Sequence, residues 1–163
     1  MKKPIRYAAI TLSLLPAFVI AQVLFTDKTS FNESVNDLME CTTAHMLIAQ
    51  GRTQANTDER RTSEQTANRL AMFIRSLRIE VGIRGLGDTP DSRKAAQVVI
   101  DRKMTEEIEA LAGRYAWLAR SDPSSFYESM QTKKQQCRVY DNHAQKATRD
   151  SNYVKRIVAA SEL

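Results

Sequence analysis

Two cysteines, Cys41 and Cys137, constrain the fold more than any other feature of this sequence. They are separated by 96 residues, and the chain has no third cysteine to compete for either of them. In an oxidising compartment such a pair most simply forms a disulfide. Closing a loop of that length stabilises a folded chain by about 4 kcal/mol in the chain-entropy treatment. If the protein is exported, the pair therefore predicts a covalent link between two distant segments.

Cys41 lies in a segment, from Ser30 to Gly51, that has the signals of an α-helix. Ser30 followed by Glu33 is the pattern of a capping box, in which each side chain accepts a hydrogen bond from a backbone N–H of the first turn. Gly51 can adopt the left-handed conformation that closes a helix. The helical period places Cys41 on the apolar half, where it points into the core. That half carries Phe31, Val35, Leu38, Cys41, Thr42, His45, Ile48 and Ala49.

The first residues of the chain predict export. Basic residues precede an apolar run from Tyr7 to Ile20, which ends in small residues. A positive head, an apolar middle and a small-residue end are typical of a secretory signal peptide. We therefore predict that residues 1–21 are a signal peptide, cut after Ala21. Residues 22–163 are then expected to form a single helical domain that is periplasmic or secreted.

An uncleaved membrane anchor is the alternative interpretation of the same segment. The run from Tyr7 to Phe25 is almost long enough to span a bilayer. Thr11, Pro16 and Gln22 interrupt its apolar character and favour the signal peptide. We expect contact with a membrane only if this segment is retained.

The charge of the remaining domain gives no reason to expect nucleic acid as a partner. Residues 1–21 contain three of the 24 basic residues and none of the 19 acidic ones, which leaves a net charge of +2. A domain so close to neutral has little electrostatic attraction for a phosphate backbone. An exported protein would also rarely meet nucleic acid.

Three further helices are indicated downstream. Asn56, followed by Glu59, repeats the capping pattern before a second helix that ends near residue 83. Thr89 and Pro90 begin a third helix, which ends near Arg120, because proline at the first helical position loses no hydrogen bond. A fourth helix follows Pro123, and a short helical extension carries Tyr153, Val154, Ile157 and Val158.

Short connections between these helices predict an all-α fold, namely an antiparallel four-helix bundle with a short C-terminal helical extension. Cys41 and Cys137 would brace the first helix against the fourth. Residues 77–84 leave one ambiguity, because their apolar residues alternate with the period of a strand. We favour a helix there, since a lone strand would have no partner.

The histidines and cysteines do not form a recognisable cofactor site. With Cys41 level with Cys137, His45 and His143 would lie about 15 Å apart along the bundle, too far for one metal ion. A haem held by Met39 and His143 has poor geometry, because His143 is turned away from the seam between the helices. His45 is expected to be a core histidine with a satisfied hydrogen bond. No catalytic motif occurs either, so we expect neither an enzyme nor a bound cofactor.

The outer faces of the second and third helices carry unexpected apolar residues. Met72, Ile79 and Ile83, with Arg75 beside them, lie on the outer face of the second helix, and Trp117 and Val99 lie on that of the third. Exposed apolar groups edged by arginine are typical of protein interfaces. Alternatively, the C-terminal segment folds over one of these patches.

The expected function is therefore binding of another macromolecule, an unidentified protein partner in the cell envelope. An accessory, inhibitor or immunity-type protein would suit a small exported domain without catalytic residues. The alternative is a periplasmic haem or metal carrier of the four-helix-bundle type.

Overall fold

The computed structural model describes residues 24–51 and 55–163, and this part of the chain is all-helical, without a strand. The predicted signal peptide, residues 1–21, lies outside the described residues. Among the helices described, none is both long enough and apolar enough to cross a membrane. The helices are α1 (Lys28–Ala49), α2 (Thr57–Ile83), α3 (Pro90–Ser121), α4 (Pro123–Gln136), α5 (Arg138–Arg149) and α6 (Tyr153–Ala160).

The start of α1 differs from the sequence prediction. The N-cap is Asp27, whose carboxylate accepts hydrogen bonds from the backbone N–H groups of Thr29 and Ser30. Ser30 closes the box by accepting from the N–H of Asp27. The predicted box of Ser30 and Glu33 is therefore wrong, because Ser30 occupies the third helical position instead of the cap. The predicted end is confirmed, since Gly51 has φ of +70°.

The other predicted helix starts are confirmed. The side chain of Asn56 accepts from the N–H of Glu59 at 2.9 Å, and Thr89 caps α3 with Pro90 at its first position. Residues 77–83 continue α2, so the alternation of apolar residues there does not mark a strand. The local capping chemistry was sufficient to place these ends.

The predicted fourth helix is divided at Cys137. This residue has φ −73° and ψ −9°, and it separates α4 from α5 although the N–H of Asp141 still donates to its carbonyl. The predicted disulfide between Cys41 and Cys137 is confirmed, with α carbons 5.6 Å apart. It fastens α1 to the junction of α4 and α5, and not to the middle of one continuous helix.

The apolar core has a larger and a smaller part. The larger part surrounds Leu38, Leu70 and Leu77, where α1 and α2 pack against each other along most of their length. In the smaller part, Phe126 and Met130 of α4 pack against the C-terminal half of α1 and the C-terminal half of α3.

The exposed face expected at Ile79 and Ile83 is not found. These side chains are 6% and 4% exposed, and they belong to the same core cluster as Val154 and Val158 of α6. Helix α6 packs directly against α2 and covers this side of it. The hydroxyl of Ser161, just beyond α6, donates to the carbonyl of Phe25 and ties the C-terminal segment down. The alternative, in which the C-terminal segment covers one patch, is therefore the observed arrangement.

Candidate functional site

The remaining residues of the predicted partner surface do not form one site. Met72 on α2 and Trp117 on α3 are 64% and 67% exposed. Arg75 donates two hydrogen bonds to the carboxylate of Asp101 on α3, with donor–acceptor distances of 2.6 and 3.0 Å. That pairing raises the pKa of the Arg75 guanidinium, chiefly through the side-chain hydrogen bond to Asp101. Arg75 therefore holds α2 to α3 and is not free to meet a partner.

A different surface is open between the N-terminal half of α1 and the N-terminal half of α3. Here the two helices diverge above α2 and leave a groove with a volume of about 700 Å³. We call it the α1–α3 groove. Its apolar and small residues come from all three helices and from the turn after α2. They are Phe31, Val35, Val81, Gly82, Leu86, Ala95, Ala96, Val99 and Ile100.

The floor of the groove is formed by α2, and its two edges, here called its lips, carry exposed apolar side chains. Gly82 of α2 faces Ala96 of α3 there, and a Cβ at Gly82 would lie 3.8 Å from the Cβ of Ala96, an ordinary van der Waals contact. On the lips, Leu86 is 69% exposed and Val99 is 49% exposed. Large apolar side chains held in water at the edge of a concave surface are typical of binding sites.

Five polar side chains line the same groove. Arg78 donates to a carboxylate oxygen of Glu107 at 2.6 Å, and its other terminal nitrogen is buried without an acceptor from residues 24–51 or 55–163. Lys103 makes no ion pair among the described residues, although it lies one turn before Glu107. The carboxamides of Asn32 and Asn36 line the α1 side. The uncompensated charge of the groove is therefore the ammonium group of Lys103.

Sequence reasoning missed this groove for an identifiable reason. Val99 was visible as an apolar residue on the outer side of the third helix, and Gly82, Ala95 and Ala96 are small residues that favour close helix approach. None of these residues indicates that a groove is open between the N-terminal halves of α1 and α3. The distance between two helices depends on contacts elsewhere in the chain, which a periodic pattern does not encode.

His45 is a core histidine whose pKa is strongly lowered. It is 5% exposed, and its Nδ1 atom has no hydrogen-bond partner in the described part of the chain. The expected burial of His45 in the core is confirmed, whereas the expected hydrogen bond is not found at this nitrogen. Burial, and then the charge of Lys134, lower the pKa of His45 to about 4, against the opposing effect of Asp141. The imidazole is neutral at physiological pH.

The depressed pKa of His45 predicts that stability falls as the pH is lowered from about 6.5 to about 4. Across that range His45 is protonated in the unfolded chain but stays neutral in the folded chain. The free energy of unfolding therefore decreases by roughly 2 to 3 kcal/mol. We expect the NMR signals of the His45 ring to titrate with a midpoint near 4. A midpoint near 6.5 would contradict the structure.

The variant His45→Gln should lose this part of the acid dependence, as measured by urea unfolding at pH 7 and pH 4.5. The matched control is His143→Gln, because His143 is the only other histidine of the chain. Burial lowers the pKa of His143 as well, but His143 is only partly buried, so the smaller change is expected in this control.

His143 belongs to an aromatic cluster. Its ring stacks on Phe73 with centroids 6.5 Å apart, and its Nδ1 atom lies 2.6 Å from the hydroxyl of Tyr153. Phe25 packs edge-on against the same ring. Within residues 24–51 and 55–163, no three histidine, cysteine, aspartate or glutamate side chains are grouped as metal ligands. The ring nitrogen of His143 serves the packing of α5 against α6.

The chain was also compared with known proteins. No protein-family model, no curated protein and no solved structure matches it. The α1–α3 groove is the candidate functional site.

Proposed function

We propose that this protein is exported to the cell envelope and acts by binding another macromolecule, a protein partner, without performing chemistry itself. The observation that carries the proposal is the α1–α3 groove, whose lips hold Leu86 and Val99 in water. Exposing such residues costs free energy in the isolated protein. A partner that covers them recovers that free energy on binding.

Export is supported by two independent features of the chain. The N-terminal segment has the composition of a signal peptide, with a basic head and an apolar middle. Cys41 and Cys137 form a disulfide whose two residues are each 1% exposed. Structural disulfides are typical of proteins that leave the cytoplasm.

The proposed architecture is an antiparallel four-helix bundle whose fourth position is only half filled. Helix α4 packs against α1 and α3 in the half of the bundle that contains Phe126 and Met130. Beyond Cys137 the chain continues as α5, which packs against α2 and has no substantial contact with α3.

Site-specific photo-crosslinking in the cells that produce the protein tests this function. The photoreactive residue p-benzoylphenylalanine is placed at Val99 in the groove, at Met72 on α2, or at Trp117 on α3. Trp117 lies outside the groove, since it is ten residues, or about 15 Å, beyond Glu107, the last groove residue of α3. We expect one discrete protein adduct from position 99 and none from the other two positions.

The two control positions are as exposed as Val99 or more so, so random collisions would label them at least as strongly. Adducts from Met72 or Trp117 but not from Val99 would move the binding surface to the outer faces of the helices. The absence of an adduct at all three positions would contradict the proposed function.

A further inference from the structure

We propose that the α1–α3 groove receives an amphipathic α-helix of the partner, and that this helix carries a carboxylate beside its apolar stripe. The inference rests on the proposed function and specifies the chemistry of the partner. It follows from the length of the groove, its lining and its charge.

The length of the groove matches a short helix. Along α3 the lining runs from Ala95 to Glu107, which is about 18 Å, or three to four turns. The groove is open to solvent along one side, and its lining comes from α1, α2 and α3. The groove therefore admits one face of a helix and leaves the other face in water. An amphipathic helix has this division of surfaces.

The lining explains why a peptide helix fits better than a single acyl chain. Small residues on the walls, Gly82, Ala95 and Ala96, leave room for the larger side chains of an incoming stripe. The carboxamides of Asn32 and Asn36 lie along one side and can exchange hydrogen bonds with the polar flank of a helix. An acyl chain offers these amides no partner, and an open groove would leave part of the chain in water.

The charges of the groove predict the charge of the side chain that the incoming helix carries beside its apolar stripe. Glu107 is neutralised by Arg78 at 2.6 Å, whereas Lys103 has no ion pair among the described residues. A carboxylate on the partner would meet Lys103 at the edge of the apolar surface. A lysine in the same place would meet a like charge, which weakens binding. The groove therefore discriminates between acidic and basic helices.

Two synthetic peptides of about 14 residues test the inference by calorimetry with the protein purified from its own cells. Both carry leucine at i, i+3 and i+7, and they differ only in having glutamate or lysine beside that stripe. We expect the acidic peptide to bind more tightly to the unchanged protein. In the variant Lys103→Glu the basic peptide should bind more tightly, and the ratio of the two dissociation constants should change by about tenfold. The variant Val99→Trp should abolish binding, because the indole occupies the groove.

Val98→Trp is the matched control, because Val98 is the neighbouring valine of α3, is 67% exposed and does not line the groove. This variant should bind as the unchanged protein does. Equal binding of both peptides, still lost in Val99→Trp, would refute the charge preference and leave the proposed function standing. Binding of neither peptide would refute the helical occupant.

Other occupants of the groove give different results in the same experiment. If laurate binds to the protein but not to Val99→Trp, and neither peptide binds, the occupant of the groove is an anionic amphiphile and not a helix. A dimer that Val99→Trp dissociates would replace it by a second copy of this chain. Each of these results overturns the inference.

Discussion

Replacing both Cys41 and Cys137 by alanine is expected to lower the free energy of unfolding by about 3 to 4 kcal/mol. The disulfide closes a loop across 96 residues, so its loss gives the unfolded chain a large gain in conformational entropy. The covalent link also holds the junction of α4 and α5 against α1. Urea unfolding followed by circular dichroism measures the change directly.

The reduced protein serves as the control for this double variant. Reduction removes the same link without removing the sulfur atoms, so the unfolding midpoints of the two proteins should lie close together. Both cysteines are 1% exposed, and reduction should therefore require partial unfolding. A decrease of less than 1 kcal/mol in the double variant would show that non-covalent packing alone fixes α4 and α5.

The variant Phe73→Ala is expected to cost about 4 kcal/mol, the other large effect. The Phe73 side chain is 2% exposed, and it joins the N-terminal residue Phe25, at a centroid distance of 6.1 Å, to His143 of α5. Removing a fully buried ring leaves a cavity that three separate elements would have to fill. Helicity at 25 °C should persist while the unfolding midpoint shifts to lower urea.

Met72→Ala is the matched control, because Met72 is the preceding residue of α2 and is 64% exposed. Its truncation should change the free energy of unfolding by less than about 0.5 kcal/mol. Similar losses for the two variants would contradict the assignment of Phe73 to the core. They would equally contradict the exposure of Met72.

Local chemistry allowed much of the secondary structure to be predicted from the sequence. Asn56 and Thr89 mark helix starts through hydrogen bonds within one turn, and Gly51 marks an end through its conformational freedom. Ser30 shows the limit of this reasoning. The residues Asp27 to Ser30 satisfy the same capping chemistry one turn earlier, and the structure uses that earlier box.

The candidate site depended on relations between distant segments. Ile79 and Ile83 look like an exposed pair when α2 is considered alone, but α6 covers them more than 70 residues later in the chain. Val99 was recognised as an outward-facing apolar residue, yet its neighbours in the groove come from α1 and α2. The four-helix bundle remains a proposal for the same reason, since α4 and α5 pack on different helices.

The sequence by itself determined an all-helical chain and the pairing of Cys41 with Cys137. Helical periods and caps are set within a few residues, and two cysteines allow only one intramolecular pair. Only the tertiary structure decided which apolar faces are covered and where α1 and α3 separate. Those outcomes depend on how helices of unequal length share one core, so no single segment of the sequence specifies them.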